Sequence, residues 1–299
     1  MQSVAAAGLP GLDGWELSMP PQEESRSPVR GGRVAIAGLG TVGRAVARAL
    51  DRGAIPGLSL TAVAVRDAGK ARAELAALAA PPEVVTAFDA LEPRADIVLE
   101  CAPSQHLPAI VRPFVMAGKT AVVLSCGALL DHEDLVTTAR AHGGQIVVPT
   151  GALLGLDAVT AAAEGKIHTV RMITRKPVRG LVGAPYLVEN GIAIAGITEP
   201  MRVFSGSPRE AARGFPANLN VAVALSLAGI GPDRTELEIW ADPVLDRNTH
   251  RIEVEADAAR FSMTIENVPT DENPRTGRIT ALSVIAYLRK LAAPLRVGT

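Results

Sequence analysis

Aromatic side chains are nearly missing from this chain: two Trp, two Tyr and five Phe in 299 residues. The core must then come from Ala, Val, Leu and Ile, which suits a parallel sheet covered on both faces. Cysteine is also scarce. Cys101 and Cys126 lie in the apolar runs IVLECA and AVVLSCG, so each reads as a buried, reduced thiol and not as half of a disulfide framework. Charge of one sign is lacking as well, with 30 basic against 31 acidic residues. That balance argues against a nucleic-acid partner, which needs a clustered basic surface. No apolar run approaches the length of a membrane span, so no membrane partner is expected. No basic segment leading into an apolar one opens the chain, so a secretory leader is not expected and the cytoplasm is the expected location. No His/Cys/Asp cluster has ligand spacing, so no metal is expected.

What is present starts late. Residues 1–32 are rich in Pro, Gly, Ser and Glu without periodicity, and read as a flexible tail. From Arg33 onward short apolar strands alternate with helical segments: VAIAGLG, then TVGRAVARAL, then LSLTAVAV, and on to QIVVPTG. That rhythm makes parallel βαβ units with right-handed crossovers. After about residue 150 the period falls to two, as in HTVRMITRKPV, ELEIWADP, HRIEVEADA and RFSMTIENVP. Such alternation marks half-exposed, antiparallel strands. The segment PREAARGFPANLNVAVALSLAG reads as one long helix between them. The expected fold is therefore α/β. A doubly wound parallel (Rossmann) sheet spans 33–149. A second α+β domain spans 150–274, with a largely antiparallel sheet serving substrate binding and dimerisation. A helix within 275–299 is expected to pack back on the first domain.

The strand VAIA runs into G-L-G-T-V-G, with Gly38, Gly40 and Gly43 around Thr41 and Val42. Each glycine has a task. The first allows a tight turn, the second lets a pyrophosphate approach, and the third lets strand and helix pack closely. The helix N-terminus then offers free N–H groups and a positive dipole to the phosphates. A bare GxGxxG is weak; between a strand and a helix it is much stronger. NAD or NADP is the expected cofactor. The second strand ends AVAVRDAGK. Arg66 suits a 2′-phosphate and Asp67 suits a 2′-hydroxyl, so the choice between the two cofactors stays open.

Five later segments together resemble the L-aspartate dehydrogenase family: VVPTGALLGLDAV, TRKPV, GSPREAARGFPANLNVAVALSLAGIGPDRT, ADPVLDRNTHRIEV and ENPRTGRITALSVIAYLR. The resemblance runs from about Arg33 to the C-terminus. It implies reversible oxidation of L-aspartate to iminoaspartate with NAD or NADP. The imine then gives oxaloacetate and ammonia, or enters quinolinate synthesis. A homodimer is expected by analogy with two-domain dehydrogenases, with the alternating strands of the second half pairing sheets across it. Residue by residue, Ala152 matches a backbone contact to the dinucleotide, Asn220 a cofactor-contacting asparagine near the nicotinamide, and His250 the active-site histidine. Cys126 departs from the Val-like residue expected there, and the N-terminal extension is unusual.

A neutral imidazole suits proton removal from an amine near pH 7, because its ordinary pKa lies near that range. His250 is the candidate for that role and for activating the hydrolytic water. Read alone it fits a satisfied histidine at a strand entrance at least as well; the resemblance tips the balance. Asn248, two residues away, is placed to orient substrate or ring, and Asp242 is a possible partner of the imidazole. A dicarboxylate needs cations. Arg175 and Lys176 are adjacent on a strand, so they point to opposite faces, and Lys176 is slightly preferred. Arg275 and Thr276 are weaker candidates, and His106 is a reserve near the cofactor. Asn218 competes with Asn220 as a helix cap. Two other readings remain: a related dehydrogenase or imine reductase acting on another small amino or keto acid, and a non-catalytic NAD(P)-binding sensor.

Overall fold

A computed structural model describes residues 32–216, 219–273 and 276–298. The proposed tail, Asn218 and Arg275 thus lie outside the described residues, Gly32 excepted.

The first sheet contains β1 (Gly32–Ala37), β2 (Leu58–Ala64), β3 (Glu83–Val85), β4 (Ile97–Glu100), β5 (Thr120–Val123) and β6 (Gln145–Val147). All pair in parallel, in the order β3-β2-β1-β4-β5-β6. The strands are apolar on both sides because both sides are covered. Ala35, Ala37, Ala62 and Ala64 face one core, with Leu107, Ile110 and Phe114 of α3 (Leu107–Met116) and Leu135 of α4 (Asp134–His142). Val34, Ile36 and Val63 face the other, with Val46 and Leu50 of α1 (Thr41–Asp51) and Ala71 and Leu75 of α2 (Ala68–Leu75). The C-terminal helix α9 (Arg278–Ala292) closes this second core with Val284 and Leu288, both fully buried. Burying each such side chain is worth about 2 kcal/mol. Strand order reverses between β1 and β4, and ligands of such sheets bind at that switch point.

The second sheet holds β7 (Ile167–Pro177), β8 (Met201–Gly206), β9 (Glu236–Asp242), β10 (Thr249–Ala256) and β11 (Arg260–Glu266), in the order β11-β10-β7-β9-β8. β7 pairs in parallel with β9; the other pairs are antiparallel. The period-two pattern of β7 explains its placement. Val170, Met172, Thr174 and Lys176 are buried, and the first two join a core with α5 (Leu156–Ala163) and α8 (Asn220–Ala228). Arg171, Ile173 and Arg175 lie on the opposite, half-exposed face. In register, Val170 opposes Val254, Met172 opposes Ile252, and Thr174 opposes His250. The covered face is therefore apolar along most of its length and turns polar at one end.

Several elements differ from the sequence reading. The strands β3 (EVV) and β8 (MRVFSG) were not anticipated. The long helix is broken into α7 (Pro208–Gly214) and α8. Pro216 explains the break: it disfavours a helical Phe215, whose φ and ψ are −135° and 49°.

Candidate active site

The glycine loop has the geometry its three positions require. Gly38 has φ +96°, and a Cβ there would sit 2.7 Å from the Cys101 carbonyl oxygen. A Cβ on Gly43 would stand 2.3 Å from the Gly38 oxygen. Gly40 is the opposite case: nothing lies within 4 Å of its would-be Cβ. The first and third glycines are thus forced by the chain itself, while the second faces open space. Thr41 and Val42 begin α1, whose N-terminus has no side-chain cap. Free N–H groups beside an open glycine fit a pyrophosphate.

Beyond β2, Arg66 is exposed. Asp67 caps α2, its carboxylate accepting from the Lys70 N–H at 2.9 Å. The cap engages one oxygen of that carboxylate and leaves the other able to meet a ribose hydroxyl, so both ribose candidates stay available.

Asn220 is the first residue of α8 and reaches across to the first sheet. Its Oδ1 accepts from the Gly127 N–H at 3.0 Å, and its carbonyl oxygen accepts from the Cys126 thiol at 3.0 Å. The loop it meets is held from below by Glu100 at the end of β4. That buried carboxylate accepts from the N–H groups of Leu124 (3.1 Å) and Ser125 (2.8 Å) and from the Ser125 hydroxyl (3.1 Å). Burial pushes the Glu100 pKa up, and these donors oppose the shift. Burial likewise raises the Cys126 thiol to about 12, so it stays protonated. Ala152 lies on the connection between the sheets, where its carbonyl oxygen accepts from Asn267 Nδ2 at 2.8 Å.

His250 lies at the polar end of the second sheet, 2% exposed. Its Nδ1 is 3.2 Å from Thr174 Oγ1. Lys176 stands two residues along the same face of β7, 3% exposed. Burial holds the His250 pKa down, and the Lys176 charge adds to the effect, taking it to about 3. The expectation of an imidazole titrating near neutrality is therefore corrected: the ring is neutral throughout the physiological range. Burial alone lowers Lys176 to about 8.

Arg175 requires a second correction. It is on the other face of the sheet, 3.7 Å from Asp242 and 5.6 Å from the centre of the Trp240 ring. Asp242 is thus Arg175's neighbour and not the partner of His250; its carboxylate also accepts from the Val244 N–H. Thr174 holds the imidazole instead. Strand alternation separated Arg175 from Lys176 correctly, but the pairing register that brings Thr174 to His250 has no one-dimensional signal.

Asn248 is half-buried just before β10, and its carbonyl oxygen accepts from the Asn267 N–H at 2.8 Å. It lines a cavity of about 410 Å³ together with Pro177, Arg179, Phe215, Arg247, Asn267 and Gly277. Lys176 and His250 do not line it; Lys176 is adjacent in sequence to Pro177, and His250 lies two residues from Asn248. Sequence reasoning missed Glu100, Thr174, Arg179, Arg247 and Asn267. Of these, Arg179 directly follows the quoted TRKPV, and Glu100, Thr174, Arg247 and Asn267 lie inside quoted segments. Thr276 is tied to Asn273, accepting from its Nδ2 at 3.1 Å, and His106 packs at a tilt on Phe88 with ring centres 5.2 Å apart. Among the described residues, no His/Cys/Asp/Glu group could hold a metal ion, and no helix is long and apolar enough to cross a membrane.

Comparison with known proteins agrees with both halves of this arrangement. Residues 38–149 match the NAD-binding domain family of homoserine dehydrogenase, and residues 157–291 match the C-terminal domain family of aspartate dehydrogenase. The chain is 64% identical over 267 residues to the L-aspartate dehydrogenase of Bradyrhizobium diazoefficiens, covering 89% of this chain and 94% of the relative. It is 59% identical over 266 residues to L-aspartate dehydrogenase 3 of Bordetella bronchiseptica, covering 89% and 97%. Among solved structures, the aspartate dehydrogenase of Thermotoga maritima has a TM-score of 0.68 at 21% identity, covering 89% of this chain and 99% of that one, a likeness of fold. With a dinucleotide loop ahead of such a second domain, and with that identity along nearly the whole of its relatives, the chain belongs to the L-aspartate dehydrogenase family.

Proposed function

We propose that this protein oxidises L-aspartate with NAD or NADP to iminoaspartate, reversibly, with water then releasing oxaloacetate and ammonia. The observation that carries the reading is the buried, neutral His250 beside Lys176 at the polar end of the second sheet, in a chain with an open dinucleotide loop. The names of the relatives support the substrate.

The bound nicotinamide supplies the acceptor for the hydride that leaves Cα. The chain's own residues do the rest. The imidazole accepts a proton from the substrate ammonium once the substrate carboxylates, set against Lys176 and the ring, lift its pKa from about 3 towards the working range; an amine must lose its proton before its carbon can give up hydride. After that proton has passed to solvent, the same nitrogen takes a proton from water as water adds to the imine and returns it to the nitrogen that leaves as ammonia. Lys176 offers a cation to a substrate carboxylate, as a point charge, and Asn248 lines the approach. Asn220 and the Ala152 segment border the cofactor from the second domain.

Steady-state assays with L-aspartate, other small amino acids and both cofactors test the reading. Turnover should be selective for aspartate. Selectivity for another amino or keto acid would favour a related dehydrogenase or imine reductase, and cofactor binding without any turnover would favour a sensor. Arg66→Ala should lower the preference for NADP over NAD by about tenfold, on the order of one lost charge-assisted contact. An unchanged ratio would remove Arg66 from cofactor choice.

A further inference from the structure

We propose that Thr174 is a positioning residue that fixes the tautomer of His250, so that Nε2 carries the lone pair used for proton transfer. This rests on the reading of His250 as the acid/base group. Neither the resemblance nor the comparisons give Thr174 a role.

The contact is built into the sheet. Thr174 on β7 and His250 on β10 are directly opposed in the antiparallel register. Directly opposed residues have their Cβ atoms within reach of one another. Both side chains point to the covered face and are 3% and 2% exposed. Thr174 Oγ1 and His250 Nδ1 are 3.2 Å apart. A β-branched side chain is stiff about χ1, so the hydroxyl is held in place. Next to the pair, Met172 and Ile252 fill the core on one side and Lys176 stands on the other.

A neutral imidazole has one N–H, and the partner of one nitrogen decides what the other can do. Two arrangements satisfy the Thr174 contact. The hydroxyl can donate to Nδ1, which leaves the proton on Nε2 and no base there. Alternatively Nδ1–H donates to the hydroxyl oxygen, which leaves Nε2 with its lone pair. Only the second serves an amine approaching the nitrogen that Thr174 does not touch. The strand pairing thus commits Nδ1 to Thr174 before substrate arrives and leaves Nε2 for the substrate.

The test begins with the unaltered protein. The ¹⁵N chemical shifts of the His250 ring, assigned by comparison with His250→Gln, should show Nδ1 protonated and Nε2 unprotonated at pH 7. Thr174→Val keeps the shape and removes the hydroxyl. It should shift the ring towards the other tautomer and lower kcat by about ten- to a hundredfold, by analogy with the cost of removing the partner that orients a metal-bound imidazole. KM for the cofactor should change little. Thr174→Ser, which restores the oxygen, should recover both the tautomer and most of kcat, and it keeps the test open should the Val variant fold poorly. A wild-type ring protonated on Nε2 would overturn the proposal. So would a folded Val variant with unchanged shifts and kcat, or a Ser variant as slow as Val. If His250→Gln retains aspartate turnover, the acid/base reading fails, yet the spectra still report which nitrogen Thr174 controls.

Discussion

Replacing His250 with Gln or Ala is expected to lower L-aspartate turnover by about 10²–10⁴-fold, the usual contribution of a positioned acid/base group. Cofactor affinity should stay within about twofold, because the dinucleotide loop lies in the other sheet. Gln is the cleaner variant. His250 is 2% exposed, so truncation to Ala would also open a void in the second sheet. A second readout separates the ring's chemistry from its packing. The folded protein holds the imidazole pKa at about 3 against an ordinary 6.5. Between pH 6.5 and 3 the unfolded chain binds a proton that the folded chain refuses, so stability must fall as the pH falls through that window. At about 1.4 kcal/mol per pH unit, the full loss is on the order of 5 kcal/mol. His250→Gln should flatten that acid limb while abolishing turnover. Stopped-flow or steady-state absorbance of the reduced nicotinamide, with denaturant melts from pH 7 to pH 4, checks both. A variant that keeps its turnover would remove His250 from the chemistry.

These outcomes bear on what could be read from the chain alone. The first sheet was legible because parallel strands buried on both faces leave short apolar runs, and because GLGTVG has steric demands that few other residues meet. The polar end of the second sheet was half legible. Alternation in TRKP separates Arg175 from Lys176, but it does not say which face is covered; that depends on α5 and α8 packing against Val170 and Met172. Thr174 opposite His250 is a matter of register across 76 residues of chain, which no local pattern encodes. Asp242 was misread for the same reason, since a carboxylate eight residues from a histidine is near it in sequence and on the wrong side of the sheet. The pKa of His250 was misread because ordinary values describe solvated groups, and nothing in RNTH announces a dry site beside a buried lysine.

Lys176→Met is expected to stabilise the fold at pH 7 while sharply raising KM for aspartate. Burial holds the Lys176 ammonium to a pKa of about 8 against an ordinary 10.5. Between pH 8 and 10.5 the unfolded chain keeps a proton that the folded chain has lost, so stability rises with pH across that window. Below pH 8 the folded protein carries the full penalty, on the order of 3 kcal/mol. Met has a similar length and no charge to desolvate. It should therefore recover much of that penalty, less the interactions the ammonium makes in the native state, and the alkaline rise in stability should disappear. The same change removes a charge that opposes protonation of His250, so the imidazole pKa should move up from about 3. A charge that weakens the fold at neutral pH is intelligible where an anion is to be bound, because pairing with a substrate carboxylate relieves both the ammonium and the imidazole beside it. Aspartate should then protect wild type against denaturant and protect Lys176→Met hardly at all. If the Met variant keeps its KM for aspartate, or loses stability at pH 7, the ammonium serves the fold and the carboxylate must be held by other cations, with Arg179 and Arg247 on the cavity wall the first to test.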